Sequence, residues 1–241
     1  MIYVVGIGPG NPGSMTAEAQ AALDASDIIT GYDTYIDLIR EQFPGKQFLS
    51  TPMRKEPERC QMALEAGRHN NRTVSMICSG DPGVYGMAGL MLELAGQYGD
   101  PEIEIIPGVT AACSGAALLG APLGHDFAVI SLSDLLTPWE LIARRLDAAG
   151  RADFCICLYN PSSKKREDYL KQACEILLES RNPDNGAGIV RNIGRKGQSA
   201  SVMTLAQLRE AQTDMFSTVF IGNSQTKILN GKLVTPRGYR R

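Results

Sequence analysis

The sequence predicts an α/β protein of two α/β domains, the N-terminal one built on a mostly parallel sheet and the C-terminal one on a mixed sheet. Three observations predict it. Short apolar runs alternate with helix-length stretches through the first half, the pattern of a parallel sheet covered on both faces. Three of these runs end at glycine-containing turns, residues 6–10 (GIGPG), 79–86 (SGDPGVYG) and 107–112 (PGVTAA), each followed by a helical stretch. In the second half the strand candidates shorten and finish around Asn230-Gly231, a strong two-residue hairpin signal.

Taken in order, strands are expected over residues 2–7, 27–30, 47–50, 73–78 and 102–106, with helices near 16–25, 33–41, 56–70, 85–97 and 110–119. Within the third helix Glu58, Met62 and Glu65-Ala66 recur at helical spacing. Residues 105–124 carry no charge and are about long enough to span a bilayer. Pro107, Gly108 and Pro122 interrupt them, so a buried strand, turn and helix is the expectation. Residues 120–124 (GAPLG) are the expected boundary between a domain of residues 1–120 and one of residues 121–241, because glycine and proline punctuate elements. Beyond it strands are expected at 127–132, 154–158, 188–192, 199–203, 218–221, 227–229 and 232–235, with helices near 138–149 and 166–178.

The chain has 241 residues, 44% of them hydrophobic, which supports one large or two small domains with real cores. A net charge of -2 argues against a nucleic-acid partner. After Asp214 there is no acidic residue, while Lys227, Lys232, Arg237, Arg240 and Arg241 follow. That basic end reads either as a partly frayed tail or as one wall of a site for a polyanionic small molecule. Cys60, Cys78, Cys113, Cys155, Cys157 and Cys174 show no C-x-x-C pair and no His-rich spacing. They are expected to be buried reduced thiols rather than metal ligands, in keeping with a reducing cytoplasm. The opening MIYVVG lacks a basic region and reads as a strand rather than a signal peptide, so a soluble, cytoplasmic protein without a membrane partner is expected.

Three glycine turns from one parallel sheet meet at one edge, where open α/β sheets bind ligands. The first, residues 8–13 (GPGNPG), matches G-x-G-x-x-G, with Asp33 at about 20 residues further on, so an NAD-linked oxidoreductase is one reading. Against it, Pro9 and Pro12 have no N–H to offer a pyrophosphate, and the helix starts late, near residues 14–16. The second turn carries Asp81, which repels a pyrophosphate but suits ammonium or hydroxyl donors, such as those of S-adenosylmethionine. Its other reading is an Asx-type cap for a helix near Val84. The third turn offers bare backbone and small residues to a flat ligand, or simply close helix packing.

Residues 5–16 (VGIGPGNPGSMT), 79–88 (SGDPGVYGMA) and 107–112 (PGVTAA) resemble the tetrapyrrole methylase family, and the resemblance runs the length of the chain. Residues 125–139 (HDFAVISLSDLLTPW), 157–161 (CLYNP) and 235–239 (TPRGY) resemble the branch that methylates carbon 17 of precorrin-3B or cobalt-factor III. The resemblance implies an S-adenosylmethionine-dependent methyltransferase of cobalamin biosynthesis. It further implies a homodimer of two-domain chains, a tetrapyrrole substrate, the cofactor in the cleft between domains, and no metal held by the protein. By motif the cofactor would touch Pro9, Ser79, Gly80, Asp81, Val84, Thr110, Ala111, Tyr159, Asn160, Asn192, Ile193 and Pro236. Other branches show Met after the tyrosine and Glu-x-Gly-Thr near residue 191, where this chain has Asn160 and Arg191-Asn192-Ile193-Gly194.

The branch also contracts the macrocycle, which calls for proton transfer. His125, Asp126 and Asp134 are the catalytic candidates, at the ends of the 125–134 strand region; the plainer reading of each is a strand-end hydrogen bond or cap. For substrate carboxylates the candidates are Arg54, Arg191, Arg195 and Arg237, from a basic pool that also holds Arg144, Lys164, Lys165 and Arg166. Beside the C17 branch stand a sister branch acting on another macrocycle carbon, a methylase of the same fold acting on RNA or protein, and a non-catalytic ligand sensor.

Overall fold

A computed structural model of the chain describes residues 1–68, 72–163 and 166–239. Two compact units divide it, Met1–Ala111 and Ala112–Arg241. The expected helix end at residues 69–70, Lys164 and Lys165 of the basic pool, and Arg240 and Arg241 of the basic tail lie outside the described residues.

The first unit runs β1 (Ile2–Gly6), α1 (Ala17–Ala25), β2 (Ile28–Tyr32), α2 (Asp33–Ile39), β3 (Gln47–Thr51), α3 (Glu56–Arg68), β4 (Val74–Cys78), α4 (Ala88–Ala95) and β5 (Ile103–Ile106). Its sheet has the order β3-β2-β4-β1-β5, and every pairing is parallel. Strand alternation feeds two cores. Ile2, Val4, Val74, Met76 and Cys78 face α3 and α4, while Val5, Ile7, Ile29 and Ile77 face α1 and α2. That two-sided burial is why β4 is buried at all five positions and why these strands read as continuous apolar runs.

Helix α4 starts at Ala88, three residues later than the sequence suggests. Tyr85 adopts a left-handed conformation (φ 53), and Ala88 N–H closes back onto the Pro82 carbonyl at 3.0 Å, so residues 82–87 form a turn that a helix cannot run through. The buried face of α3 is Arg59, Cys60, Ala63 and Leu64.

The second unit contains α5 from Ala112 on (the helix spans Ala111–Leu119), β6 (Gly120–Ala121), β7 (Phe127–Ser131), α6 (Trp139–Arg151), β8 (Cys155–Tyr159), α7 (Tyr169–Leu178), β9 (Gly186–Arg191), β10 (Ser199–Thr204), α8 (Leu205–Arg209), β11 (Ser217–Ile221), β12 (Lys227–Leu229) and β13 (Lys232–Val234). Its main sheet has the order β10-β9-β11-β8-β7; only β7 and β8 pair in parallel. One face packs on α6, α7 and α8 through Ile130, Leu158, Ile189 and Val219; the other packs on α5 through Cys157, Val190 and Phe220. The small residues of α5 follow from that contact. A Cβ on Gly115 would stand 2.8 Å from the Phe220 ring, so only glycine admits this approach of helix to sheet.

The Asn230-Gly231 hairpin forms as expected, both residues at positive φ (50 and 73), with Leu229 facing Lys232 across the turn. Two elements escaped the sequence reading. Residues 120–121 are not a bare linker: β6 pairs in parallel with β13, completing a three-stranded sheet β12-β13-β6. Helix α8 carries a full capping box, Thr204 with Gln207, which was written in the sequence as T-x-x-Q before an apolar residue.

Candidate functional site

The three glycine turns leave β1, β4 and β5, and these are adjacent in the order β4-β1-β5. Their main chains are packed together. Gly8 and Gly80 exchange hydrogen bonds, Gly80 N–H to Gly8 O at 2.7 Å and Gly8 N–H to Gly80 O at 3.2 Å. A Cβ on Gly108 would lie 2.1 Å from Gly80 O and 2.7 Å from the Gly6 carbonyl; one on Gly6 would lie 2.6 Å from Gly108 N. No other residue fits at either place. At Gly80 there is more room: a Cβ would stand 3.6 Å from the Thr110 Cα and 3.8 Å from Ala111 N, so a shallow cradle of bare backbone opens between the second and third turns.

Asp81 fastens this edge. Its Oδ1 accepts Gly83 N–H at 2.8 Å and its Oδ2 accepts Gly108 N–H at 3.0 Å, so one carboxylate closes its own turn and holds the third turn against the second. It does not cap α4, whose N-cap position is Met87 with no side-chain bond. Each oxygen keeps lone-pair capacity for a further donor, which suits hydroxyl or ammonium groups. The arrangement disfavours a pyrophosphate. Gly8 N–H is already spent on Gly80, a 3-10 turn at Pro12–Ser14 intervenes, and α1 begins only at Ala17, its Ala19 N–H capped by Thr16 Oγ1 at 3.1 Å.

Arg54 sits at positive φ (67) in the loop after β3, which β2 and β4 separate from β1. Beneath that loop lies a residue the sequence reading missed. Arg59 is 3% exposed; its guanidinium donates to Thr51 Oγ1 (2.9 Å), Pro52 O (3.1 Å) and Met87 Sδ (3.2 Å). It joins the ends of β3 and the second turn from below.

In the second unit the candidates fall on two opposite edges of the main sheet. Strand directions decide this. β7 and β8 are parallel, β11 runs against β8, and β9 runs against β11, so β7, β8 and β9 all end at the same edge. At that edge lie Tyr159, Asn160, Arg191, Asn192, Ile193, Arg195 and Asp134. Tyr159 Oη accepts Ala112 N–H at 2.7 Å, at the start of α5. Asn160 and Asn192 both adopt positive φ (51 and 50) as their strands turn away. Asn160 Nδ2 donates to Ser131 Oγ at 3.0 Å, and the Arg191 guanidinium donates to Gln212 O. Asp134 accepts Tyr169 Oη–H at 2.7 Å and stands 3.7 Å from Arg166 Nε. Neither partner was singled out with Asp134 from sequence, because 35 residues separate Asp134 from Tyr169. The Tyr169 hydroxyl is held above its ordinary pKa, first by its hydrogen bond to Asp134 and then by burial.

The other edge carries His125, Asp126, Pro236 and Arg237. His125 is half exposed, and its Nδ1 accepts the Asp126 N–H at 3.0 Å. Arg237 joins them in lining an open groove of ≈ 490 Å³ with Leu123, Gly124 and Phe127. Next to Pro236, Thr235 is pinned by its N–H to Ala121 O (3.0 Å) and its Oγ1 to Pro122 O (2.6 Å). Of the basic end, Lys227 and Lys232 therefore sit on β12 and β13, and Thr235 anchors the chain directly after them. Arg144 lies on α6. Among the cysteines, Cys113 is exposed, a correction to the expectation that all six are buried; it occupies the outward side of the first turn of α5. All six are unpaired. Among the described residues no helix is long and apolar enough to cross a membrane, and no group of three His, Cys, Asp or Glu side chains is placed to hold a metal.

Residues 1–209 match the profile of the tetrapyrrole (corrin/porphyrin) methylases. The chain belongs to that family. This methylase is 48% identical over 240 residues to a Salmonella typhimurium protein named "Probable cobalt-factor III C(17)-methyltransferase", covering 99% of each chain. It superposes on the crystal structure of the methyltransferase CobJ with a TM-score of 0.89 at 37% identity, over 98% of this chain and 99% of the other. It shares its fold, at 20% identity and a TM-score of 0.70, with a uroporphyrin-III C-methyltransferase from Thermus thermophilus that was solved with S-adenosyl homocysteine, over 92% of this chain and 96% of the other.

Proposed function

We propose that this tetrapyrrole methylase is an S-adenosylmethionine-dependent C-methyltransferase of cobalamin biosynthesis, acting at carbon 17 of cobalt-factor III or precorrin-3B with ring contraction. The observation that carries the reading is the welded edge of β4, β1 and β5, set in a chain that matches a cobalt-factor III C(17)-methyltransferase from end to end. The cradle of Gly80, Thr110 and Ala111, with Asp81 beside it, fits a flat adenosyl group that carries hydroxyl and ammonium donors. In this reading Pro9, Ser79, Gly80, Asp81, Val84, Thr110 and Ala111 of the first unit hold the cofactor, together with Tyr159, Asn160, Asn192 and Ile193 of the second.

The sulfonium of S-adenosylmethionine supplies an already activated methyl. The protein's part is then orientation, worth about 7–11 kcal/mol when two reactants are held in line. Arg54, Arg191 and Arg195 supply cations for the substrate's carboxylates. For the proton transfers of ring contraction the sheet edges favour Asp134, with a proton held at Tyr169 Oη. Asp134 shares its edge with Tyr159 and Asn192, whereas His125, Asp126, Pro236 and Arg237 lie at the opposite edge. The proposal extends to a cytoplasmic homodimer: the unpaired thiols suit a reducing compartment, and Ile228 and Leu229 of β12 stand 43% and 50% exposed for a second copy to cover.

The test is mass spectrometry of the product after incubation with S-adenosylmethionine and either cobalt-factor III or metal-free precorrin-3B. One added methyl with a ring-contracted spectrum is expected, and the preferred substrate identifies the route. Binding of S-adenosylhomocysteine with no methylation of either compound refutes the C17 assignment.

A further inference from the structure

Seven non-glycine residues among those described adopt a positive φ, and five of them, Asp100, Asp153, Asn160, Asn192 and Asn230, are of the two types whose short polar side chains tolerate it. The other two are Arg54 (φ 67) and Tyr85 (φ 53), bulky residues in a conformation that glycine or asparagine takes at lower cost. Both side chains are exposed, Tyr85 at 57%. Strain of this kind persists only where the surroundings enforce it, and it collects at ligand sites. One buried side chain braces both loops. Arg59 Nη2 donates to the Pro52 carbonyl at 3.1 Å, two residues before Arg54, and Nη1 donates to Met87 Sδ at 3.2 Å, two residues after Tyr85. Nε holds Thr51 Oγ1 at 2.9 Å at the end of β3, and the guanidinium carbon stands 5.7 Å from the centre of the Tyr32 ring at the end of β2. One guanidinium thus ties the ends of β3 and β2 to the turn that follows β4, three strands that are neighbours in the sheet. It does so without a carboxylate partner among the described residues, and a desolvated cation without one stabilises a core no better than an apolar side chain would.

We propose that Arg59 is a positioning residue of the substrate site: it fixes the spacing of Arg54 and Tyr85, so that the Tyr85 ring lies on the face of the tetrapyrrole and Arg54 takes a carboxylate from its rim. This role rests on the proposed function and adds Tyr85 and Arg59 to it. A flat conjugated ring edged with carboxylates is matched by an aromatic surface and a guanidinium at a set separation. Holding both side chains in place beforehand spares their ordering at each turnover. The cofactor part of the second turn is fixed separately, by Asp81 on Gly83 and Gly108 and by Gly80 on Gly8, so Arg59 acts on the substrate side alone.

Steady-state kinetics of the full chain with S-adenosylmethionine and cobalt-factor III test it, beside the Kd of S-adenosylhomocysteine and the melting temperature. Tyr85→Asn and Arg54→Asn relieve the backbone strain while removing the ring and the cation. Each is expected to hold or raise the melting temperature and yet to raise the tetrapyrrole KM at least tenfold, with the KM for S-adenosylmethionine at its wild-type value. A merely structural residue would not give a protein that is as stable but binds its substrate less well. Arg59→Met is expected to raise the tetrapyrrole KM by a similar factor and to leave the Kd of S-adenosylhomocysteine within about twofold; Arg59→Lys, which keeps the charge but not the fork that spans two loops, should recover part of the loss. Added to the double variant Arg54→Asn with Tyr85→Asn, Arg59→Met should change the tetrapyrrole KM less than about twofold further, because it acts through those two residues. With wild-type methylation intact, an unchanged tetrapyrrole KM in either asparagine variant overturns the inference alone, whether or not Arg59→Met folds. An Arg59→Met protein in which both KM values rise together, or whose full loss recurs on top of the double variant, likewise overturns it. Wild-type protein that neither binds nor methylates the tetrapyrrole overturns the proposed function and this inference with it.

Discussion

The carboxyl edges of the two sheets are built in different ways. In the first unit the edge is main chain on main chain: Gly6, Gly8, Gly80 and Gly108 interlock, and a single carboxylate, Asp81, ties two turns together. In the second unit the edge is made by side chains reaching across strands: Tyr159 to Ala112, Asn160 to Ser131, Tyr169 to Asp134. The first kind is rigid and intolerant, because a glycine admits no substitute where a Cβ would overlap backbone. The second is adjustable, because each contact is one hydrogen bond worth about 1 kcal/mol net.

Breaking the rigid edge should have the largest effect. Gly108→Ala forces main chain apart and is expected to cost about 3 kcal/mol or more and to weaken S-adenosylhomocysteine at least a hundredfold, measured by calorimetry and urea unfolding. Gly80→Ala meets no backbone within 3.6 Å and carries only the strain of its positive φ, about 1–2 kcal/mol. Equal losses at the two glycines would mean that the interlock does not matter. Asp81→Ala should cost about 1–3 kcal/mol by leaving the Gly108 N–H unpaired, and should weaken S-adenosylhomocysteine markedly. Unchanged affinity would remove Asp81 from the site.

The buried cations sharpen the comparison. Arg59 in the first unit has no acidic partner among the described residues, while Arg181 in the second, 6% exposed, pairs with Asp153 and donates to Phe154 O (2.7 Å) and Ala149 O (3.1 Å). Arg181→Met strands two backbone carbonyls and should cost about 2–4 kcal/mol in urea unfolding without touching cofactor affinity. Arg59→Met loosens the loop that carries Arg54, and its signature is a raised tetrapyrrole KM.

Single contacts of the adjustable edge come next. Tyr159→Phe removes the acceptor of Ala112 N–H and should cost about 1 kcal/mol. Tyr169 gives a pH test. Its folded pKa is raised, so the stabilisation is fully present below the ordinary tyrosine value of roughly 10 and is lost as pH rises through the folded value. The stability gap between wild type and Tyr169→Phe should therefore close in alkali and stay constant from pH 6 to 9. The smallest effect is chemical. Cys60 and Cys174 are pushed up to about 12, and Cys78 to about 11, all by burial, so a thiol reagent should modify Cys113 before these. S-adenosylhomocysteine should slow that labelling, because Cys113 lies within the first turn of α5, two residues after Ala111 and three after Thr110.

The same contrast explains what could be read from the amino-acid order. Alternating strands and helices, the glycine turns and the Asn230-Gly231 hairpin are local: each depends on residues within a few positions, so period and turn chemistry expose them. The capping box of α8 was legible in the same way and was passed over. The late start of α4 was harder, since nothing in residues 85–87 announces that Tyr85 takes a positive φ. The sequence by itself determined two α/β halves, the three turns and their common edge, because a parallel sheet must bring the carboxyl ends of adjacent strands together. Only the tertiary structure decided that Asp81 binds Gly108, that Gly120–Ala121 joins the C-terminal hairpin, and that Tyr159, Arg191 and Asp134 share one edge. Those facts depend on contacts between residues 26 to 113 positions apart and on the direction of each strand, which no local pattern encodes.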